Sequence, residues 1–360
     1  MVSLTSHDVT AATRGTADRR HRARAAHLWL ALLLALSCLA SLAIGASGSS
    51  LWAALWDLAR GQEIAAIDRV VLWDIRAPRT ALGLLVGAAL AVSGAVMQGL
   101  FRNPLADPGL VGVSAGAALG ATSAIVLGTF LPSAVRAILG DYLVPVTAFL
   151  GAWVSVLLLY RVATHRGHTS VATMLLAGIA LGALAGAVTG ILVYIADDQQ
   201  LRDLTFWGLG SLGGATWSKA LTAAPVIVFA LLGSMKLGRA LNGLALGEAT
   251  ALHLGIDTQR AKNVAVLCVA AATGMAVAVS GGIGFVGIVV PHLLRLSTGP
   301  DHGPLLINSG LMGAALLIWA DVISRVIIAP AELPIGIVMA VIGAPIFLWI
   351  LLRKRGGLGL

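Results

Sequence analysis

Residues 98–121 read QGLFRNPLADPGLVGVSAGAALGA. An apolar run over 80–101 stops there at Arg102, Asn103 and Pro104. Pro104 disfavours a helical Asn103. Asp107 is placed to cap a new helix, with Pro108 at its first position. A second apolar, glycine-rich run follows at once. Two apolar helices therefore meet at a tight polar elbow, whose backbone groups need water or protein partners. A loop lining a channel mouth meets that need, and so does an ordinary tight connection between two spans.

Outward from the elbow, apolar runs recur at 28–44, 143–160, 171–195, 220–235, 262–282, 283–296, 305–328 and 334–352. With 80–101 and 109–131 they predict an all-α polytopic membrane protein of ten transmembrane helices. Composition agrees: of 360 residues 58% are hydrophobic and 11% charged, where a soluble domain carries about 25% charged. The run 283–296 is short for a hydrocarbon core of about 30 Å, so it is expected to tilt or to be partly buried in protein. The stretch 206–217 holds four glycines and reads as a re-entrant or interfacial piece.

Ten spans return both termini to one side. They sort 16 of the 24 Lys and Arg residues to that side and 8 to the other. The bias predicts both termini in the cytoplasm, and it accounts for the net charge of +8 without nucleic acid. Residues 1–27 read as a basic, disordered cytoplasmic tail, and 28–355 as a single transmembrane domain. Residues 45–79, with Trp52, Trp56 and Trp73, read as an outer-face segment with one short surface helix. AVSG at 91–94 and again at 278–281 hints at a five-plus-five inverted repeat. Glycine ridges at 112, 116, 120 and at 178, 182, 186, 190 imply close helix packing, or a pore lined by smooth backbone.

Chemistry-bearing motifs are few. There is no GxxxxGK[ST], hence no nucleotide-binding loop in this chain. Cys38 and Cys268 lie in apolar runs and suggest neither a disulfide nor a metal site. His292 beside Pro291 reads as a structural hydrogen bond rather than a haem ligand. A secondary transporter would need coupling-ion carboxylates at mid-membrane, which the runs do not supply. A receptor or scaffold without transport is the third class.

RNPLADPGLVGVSAGA (104 at its proline), DIRAPRT (74–80), SGGIGFVGIVVPHLLR (280–295) and AELPIGIVMAVIGAPIFLWILL (331–352) resemble the FecCD-type permeases. These belong to bacterial ABC importers of iron–siderophores, haem and vitamin B12. The resemblance implies a homodimer in the bacterial inner membrane, with two ATP-binding subunits inside and a periplasmic haem-binding protein outside. It implies no cofactor or metal on this chain, with ATP and Mg held by the partner ATPase, and no enzymatic role for the permease itself. Asn103 and Leu105 would help form a cytoplasmic gate. Loop 238–257 would couple to the ATPase through Arg239, Leu241, Glu248, Ala249, Leu252 and Gly255. There Gly247 and Glu248 are suited to open a short helix and Gly255 to close it. Arg76, Arg79 and Arg325 would dock the binding protein. Snorkelling, or internal pairing with Asp321, is the other reading of these arginines. The elbow and ADDQQLRDLTFWGLGSLGGATW (196–217) look most like haem permeases; ferric-siderophore and cobalamin permeases are the alternatives.

Overall fold

The computed structural model describes residues 6–45, 51–165 and 168–355. Its helices are α1 (Ser6–Ala43), α2 (Leu51–Ala59), α3 (Ala66–Arg69), α4 (Ala77–Leu100), α5 (Val113–Leu127) and α6 (Ser133–Leu139). Then come α7 (Leu143–Ala163), α8 (Val171–Ile195), α9 (Asp198–Leu209), α10 (Trp217–Met235), α11 (Gly238–Ala245) and α12 (Glu248–His253). The chain finishes with α13 (Thr258–Ser280), α14 (Val286–Thr298), α15 (His302–Val326) and α16 (Ile335–Arg355). Strands β1 (Thr164–His165) and β2 (His168–Thr169) form one minimal antiparallel pair.

Among the described residues eight helical segments are long and apolar enough to cross a membrane, and α14 and α16 are shorter apolar helices. Each of the ten runs read from the sequence falls on one of these. Two boundaries differ. The helix that carries the first span continues back to Ser6, where a disordered tail was expected; residues 1–5 and Arg166 lie outside the described residues. The second span begins at Ala66 rather than at residue 80, because α3, a π-wound stretch Val70–Arg76 and α4 run on without a break. Pro78 has no N–H to give to the preceding turn, and the turns before it widen instead of ending.

α14 has 13 residues, about 20 Å at 1.5 Å per residue, which is too short to cross alone. Residues 281–285 precede it as non-helical backbone. Such backbone is tolerated in a membrane only where protein or a water-filled cavity meets it; Gly281 and Ile283 are buried, Gly282 and Phe285 half-buried, and Gly284 is exposed.

α4 is the central element, packed against α15, α13, α10 and α14. Small residues let the backbones meet. A Cβ built on Gly94 would lie 1.9 Å from the Gly287 carbonyl oxygen, and one on Gly87 2.4 Å from that of Gly313. Gly116 and Gly151 join α5 to α7 in the same way, at 2.4 and 2.2 Å. The second ridge behaves differently: Gly186 and Gly190 on α8 have nothing within 4 Å. The two AVSG copies occupy different places, one inside α4 and one at the C-cap of α13.

The connections gather at two ends. At the elbow end, Leu241 and the His302 ring lie against Gly99. There also Lys262 Nζ donates to Thr169 O at 2.9 Å and pairs with Glu248 at 2.8 Å. At the far end, Trp217 Nε1 donates to Trp73 O (2.8 Å), Ser211 N to Ser280 O (2.8 Å) and Ile335 N to Gly210 O (3.0 Å).

Candidate functional site

The elbow is built from local hydrogen bonds. Asn103 N donates to Gln98 O at 3.1 Å, and Asn103 Oδ1 accepts from Leu105 N at 3.0 Å. Arg102 takes φ 50° to make the turn. Asp107 caps the turn as read from sequence: its Oδ1 accepts from Gly109 N at 2.7 Å, with Pro108 first in a 3-10 turn, Pro108–Val111. Gly112, at φ 76°, then starts α5. Asn103 is exposed and Leu105 half-buried.

Behind the elbow lies a cavity of about 240 Å³ bounded by Leu90, Asp107, Ser114, Thr273, Ile283 and Gly287. Burial pushes the Asp107 carboxyl above its ordinary range, against the Gly109 N–H, which favours the charged form. A carboxyl raised on folding stabilises the fold below its unfolded pKa, and that stability is lost as pH rises through the folded pKa. Asp107→Asn keeps the capping oxygen and removes the buried charge. It is expected to match or exceed the wild-type melting temperature near neutral pH. Asp107→Ala also loses the cap, at about 1 kcal/mol. Thermal unfolding in detergent at several pH values separates the two.

At the same end, α12 is bounded as the glycines predicted: Gly247 precedes it at φ 109°, Glu248 opens it, and Gly255 follows at φ 75°. Arg239, Glu248, Ala249, Leu252 and Gly255 are exposed. Leu246, Leu252 and Leu254 add an uncovered apolar rim. Leu241 is different. It is fully buried against Gly99 and joins α11 to α4, so no docking partner reaches it. Glu248 also has a role inside the chain, through its ion pair with the buried Lys262. A lysine heading an apolar run was the available signal for that pair.

The three arginines at the far end are inside the protein: Arg76, Arg79 and Arg325 are 3%, 3% and 5% exposed. Arg79 Nε donates to Asp321 Oδ1 at 2.7 Å, and its Nη1 reaches both oxygens of Glu332 at 2.8 and 2.9 Å. Arg325 Nη2 pairs with Asp321 Oδ2 at 3.1 Å and donates to Ser41 Oγ at 2.9 Å. Arg76 Nη1 donates to Leu42 O at 2.6 Å. The docking expectation is not supported by this placement: the forks of Arg79 and Arg325 are turned inward onto Asp321, as in the internal-pairing alternative, whereas Arg76 is engaged by main-chain carbonyls. Glu332, which the sequence reading passed over, is the half-exposed member of the cluster. Among the described residues no group of three or more His, Cys, Asp or Glu could hold a metal ion, and His292 is buried within α14.

A polar elbow and an exposed short helix at one end, on a bundle of apolar helices, fit a transport protein better than a catalyst. The FecCD transport family matches residues 32–353. This chain belongs to that family. The Hemin transport system permease protein HmuU of Yersinia pestis is 44% identical over 328 residues, covering 91% of this chain and 95% of that protein. The Vitamin B12 import system permease protein BtuC of Shigella boydii is 42% identical over 331 residues, with 91% and 95% coverage. An inward-facing ABC transporter structure superposes with a TM-score of 0.79 at 32% identity, covering 91% of this chain and 98% of the other. The FecCD-family chain described here is thus a multi-pass ABC permease, and permease subunits of this kind are not themselves enzymes.

Proposed function

We propose that this FecCD-family permease is the membrane channel of an ATP-driven importer that moves haem from periplasm to cytoplasm by alternating access. It works as a homodimer in the bacterial inner membrane, with two ATP-binding subunits at the elbow end and a periplasmic haem-binding protein at the far end. ATP and Mg reside on the ATPase. The observation that carries this reading is the exposed, glycine-bounded α12 on the same end as the elbow. A short rigid rod suits a groove on a partner.

The two ends support ten crossings. Connections met alternately along the chain gather at alternate ends, and α14 and α16 fit that alternation with residues 281–285 completing the depth of α14. Both termini then fall at the elbow end, the side richer in Lys and Arg, which is cytoplasmic by the positive-inside bias. Asn103 and Leu105 take the gate role at that end. Secondary transport is disfavoured because Asp321 is held by two arginines and is unavailable to a coupling ion.

Haem is favoured by the 44% relative. Cobalamin is the second reading, favoured by the 42% relative. Vesicles carrying the permease, its ATPase and its binding protein are expected to accumulate haem on ATP addition. Uptake of cobalamin or a ferric siderophore without haem uptake overturns the substrate.

Ala249→Arg tests the partner surface. Ala249 is exposed, and Glu248 is left intact because its ion pair serves the fold. The variant is expected to fold normally and to weaken ATPase binding by about thirty-fold or more, the cost of a buried unpaired charge in an interface. Normal retention of the ATPase rejects α12 as the docking rod.

A further inference from the structure

Between α11 and the N-terminus of α15 sits a closed set of polar contacts with no part in the gate or in the exposed docking surface. The His302 backbone N–H donates to Asn242 Oδ1 at 2.9 Å. A backbone N–H is only a donor, so this contact fixes which end of the Asn242 amide faces His302. The same oxygen lies 2.8 Å from His302 Nδ1, which must therefore carry the proton. Asn242 Nδ2, turned the other way, donates to Asp301 Oδ1 at 2.8 Å. His302 Nε2 is left with its lone pair, and Arg295 Nη2 of α14 faces it at 3.4 Å. Each contact is consistent with one tautomer and one amide orientation.

The packing around this set joins four helices. A Cβ on Gly99, three residues before Arg102 in the elbow, would lie 2.6 Å from His302 Nε2 and 3.1 Å from Leu241. A Cβ on Gly238 would lie 3.1 Å from the Gly303 backbone. α11 is therefore pressed on α15 by backbone, keyed to it by Asn242, and pressed on the last turn of α4 by Leu241. α12 follows α11 after two residues. A displacement of α12 thus has a short route, through α11, to Gly99.

We propose that Asn242 and His302 are positioning residues that transmit displacement of α11–α12 to the elbow. They form a keyed joint whose hydrogen bonds make α11, the N-terminus of α15 and the end of α4 move as one body. This rests on the reading of α12 as the ATPase surface.

The test uses the assembled permease–ATPase complex in vesicles, in a Cys38→Ser, Cys268→Ser background with Arg102→Cys as reporter. The readout is the rate of thiol labelling at the elbow with and without ATP and vanadate. The parent complex is expected to change its labelling rate on nucleotide addition. Asn242→Leu and His302→Leu remove the key and keep apolar bulk. Each is expected to retain the ATPase and its basal hydrolysis while the nucleotide-dependent change shrinks about ten-fold, with Asn242→Leu, which loses three part-buried or exposed contacts, at least as affected as His302→Leu. His302→Asn places an amide donor near the Nδ1 position and is expected to restore most of the response, which a purely structural role does not require. An unchanged response in both leucine variants, no rescue by His302→Asn, or no nucleotide response in the parent overturns the joint. Failure of the α12 reading is seen separately, as normal ATPase retention in Ala249→Arg.

Discussion

Asp321→Ala is expected to remove most of the folded permease from the membrane. Asp321 is 2% exposed and is gripped by Arg79 at 2.7 Å and Arg325 at 3.1 Å. Breaking one partner out of a buried ionic set costs about 3–5 kcal/mol, because the charge left behind is neither solvated nor paired. A protein's whole stability is commonly only about 5–15 kcal/mol. Arg79 keeps Glu332 in the variant, whereas Arg325 keeps only Ser41 and a backbone carbonyl. The cost therefore falls mainly on the α15 side. Replacing the trio together, Arg79→Met with Asp321→Leu and Arg325→Met, removes the three interacting charges at once and is expected to recover much of the loss. Size-exclusion profiles and melting temperatures in detergent measure both. A wild-type melting temperature for Asp321→Ala means that water reaches the arginines and that the cluster contributes little.

Gly94→Val is expected to be as damaging by a different route. The first carbon of any side chain at residue 94 would sit 1.9 Å from a backbone oxygen of α14. Side-chain collisions relax by changing rotamer, but here the obstacle is main chain. Overpacking costs about 1–3 kcal/mol where neighbours can adjust, and more where they cannot, so the upper end or beyond is expected. Moving α14 away would also break the bonds from Gln98 Nε2 to the Gly287 and Ile288 carbonyls. Gly186→Val is the matched control. That position on α8 has open space, so the single chain should fold as before. Equal yields for the two variants would mean that α4 and α14 separate easily.

These two sites also mark what could be read from the chain alone. The elbow was legible because its signals are local: a proline that forbids helix before it, an aspartate that caps two residues on. α12 was legible for the same reason, with a glycine at positive φ on each side. Asp321 and Arg325 were recognisable as an i, i+4 pair on one helix. Pairing of Arg79 with Asp321 was one of two open readings, since Arg79 lies on another helix and only tertiary packing brings the two together; Glu332 carried no local signal at all. Leu241 was read as exposed because an amphipathic loop does not reveal that α4 will cover one of its faces. The start of the second span was misplaced because Trp73, Asp74 and Arg76 look like interface, yet polar residues on one side of a helix do not end it. The glycine ridges looked alike in sequence, and only the positions of the neighbouring helices separate the tightly packed one from the open one.

The arginine cluster also bears on how the protein is made. Arg79 and Asp321 are 242 residues apart. At about 5–20 residues per second, a ribosome delivers Asp321 roughly 12–48 s after Arg79. Both carboxylates seen on Arg79 come from the last stretch of the chain, beyond α14. During synthesis α4 therefore enters the bilayer carrying a cation whose eventual counter-ions do not yet exist. The ion cluster can close only once α15 and Glu332 have been made, so it is among the last contacts the chain can form.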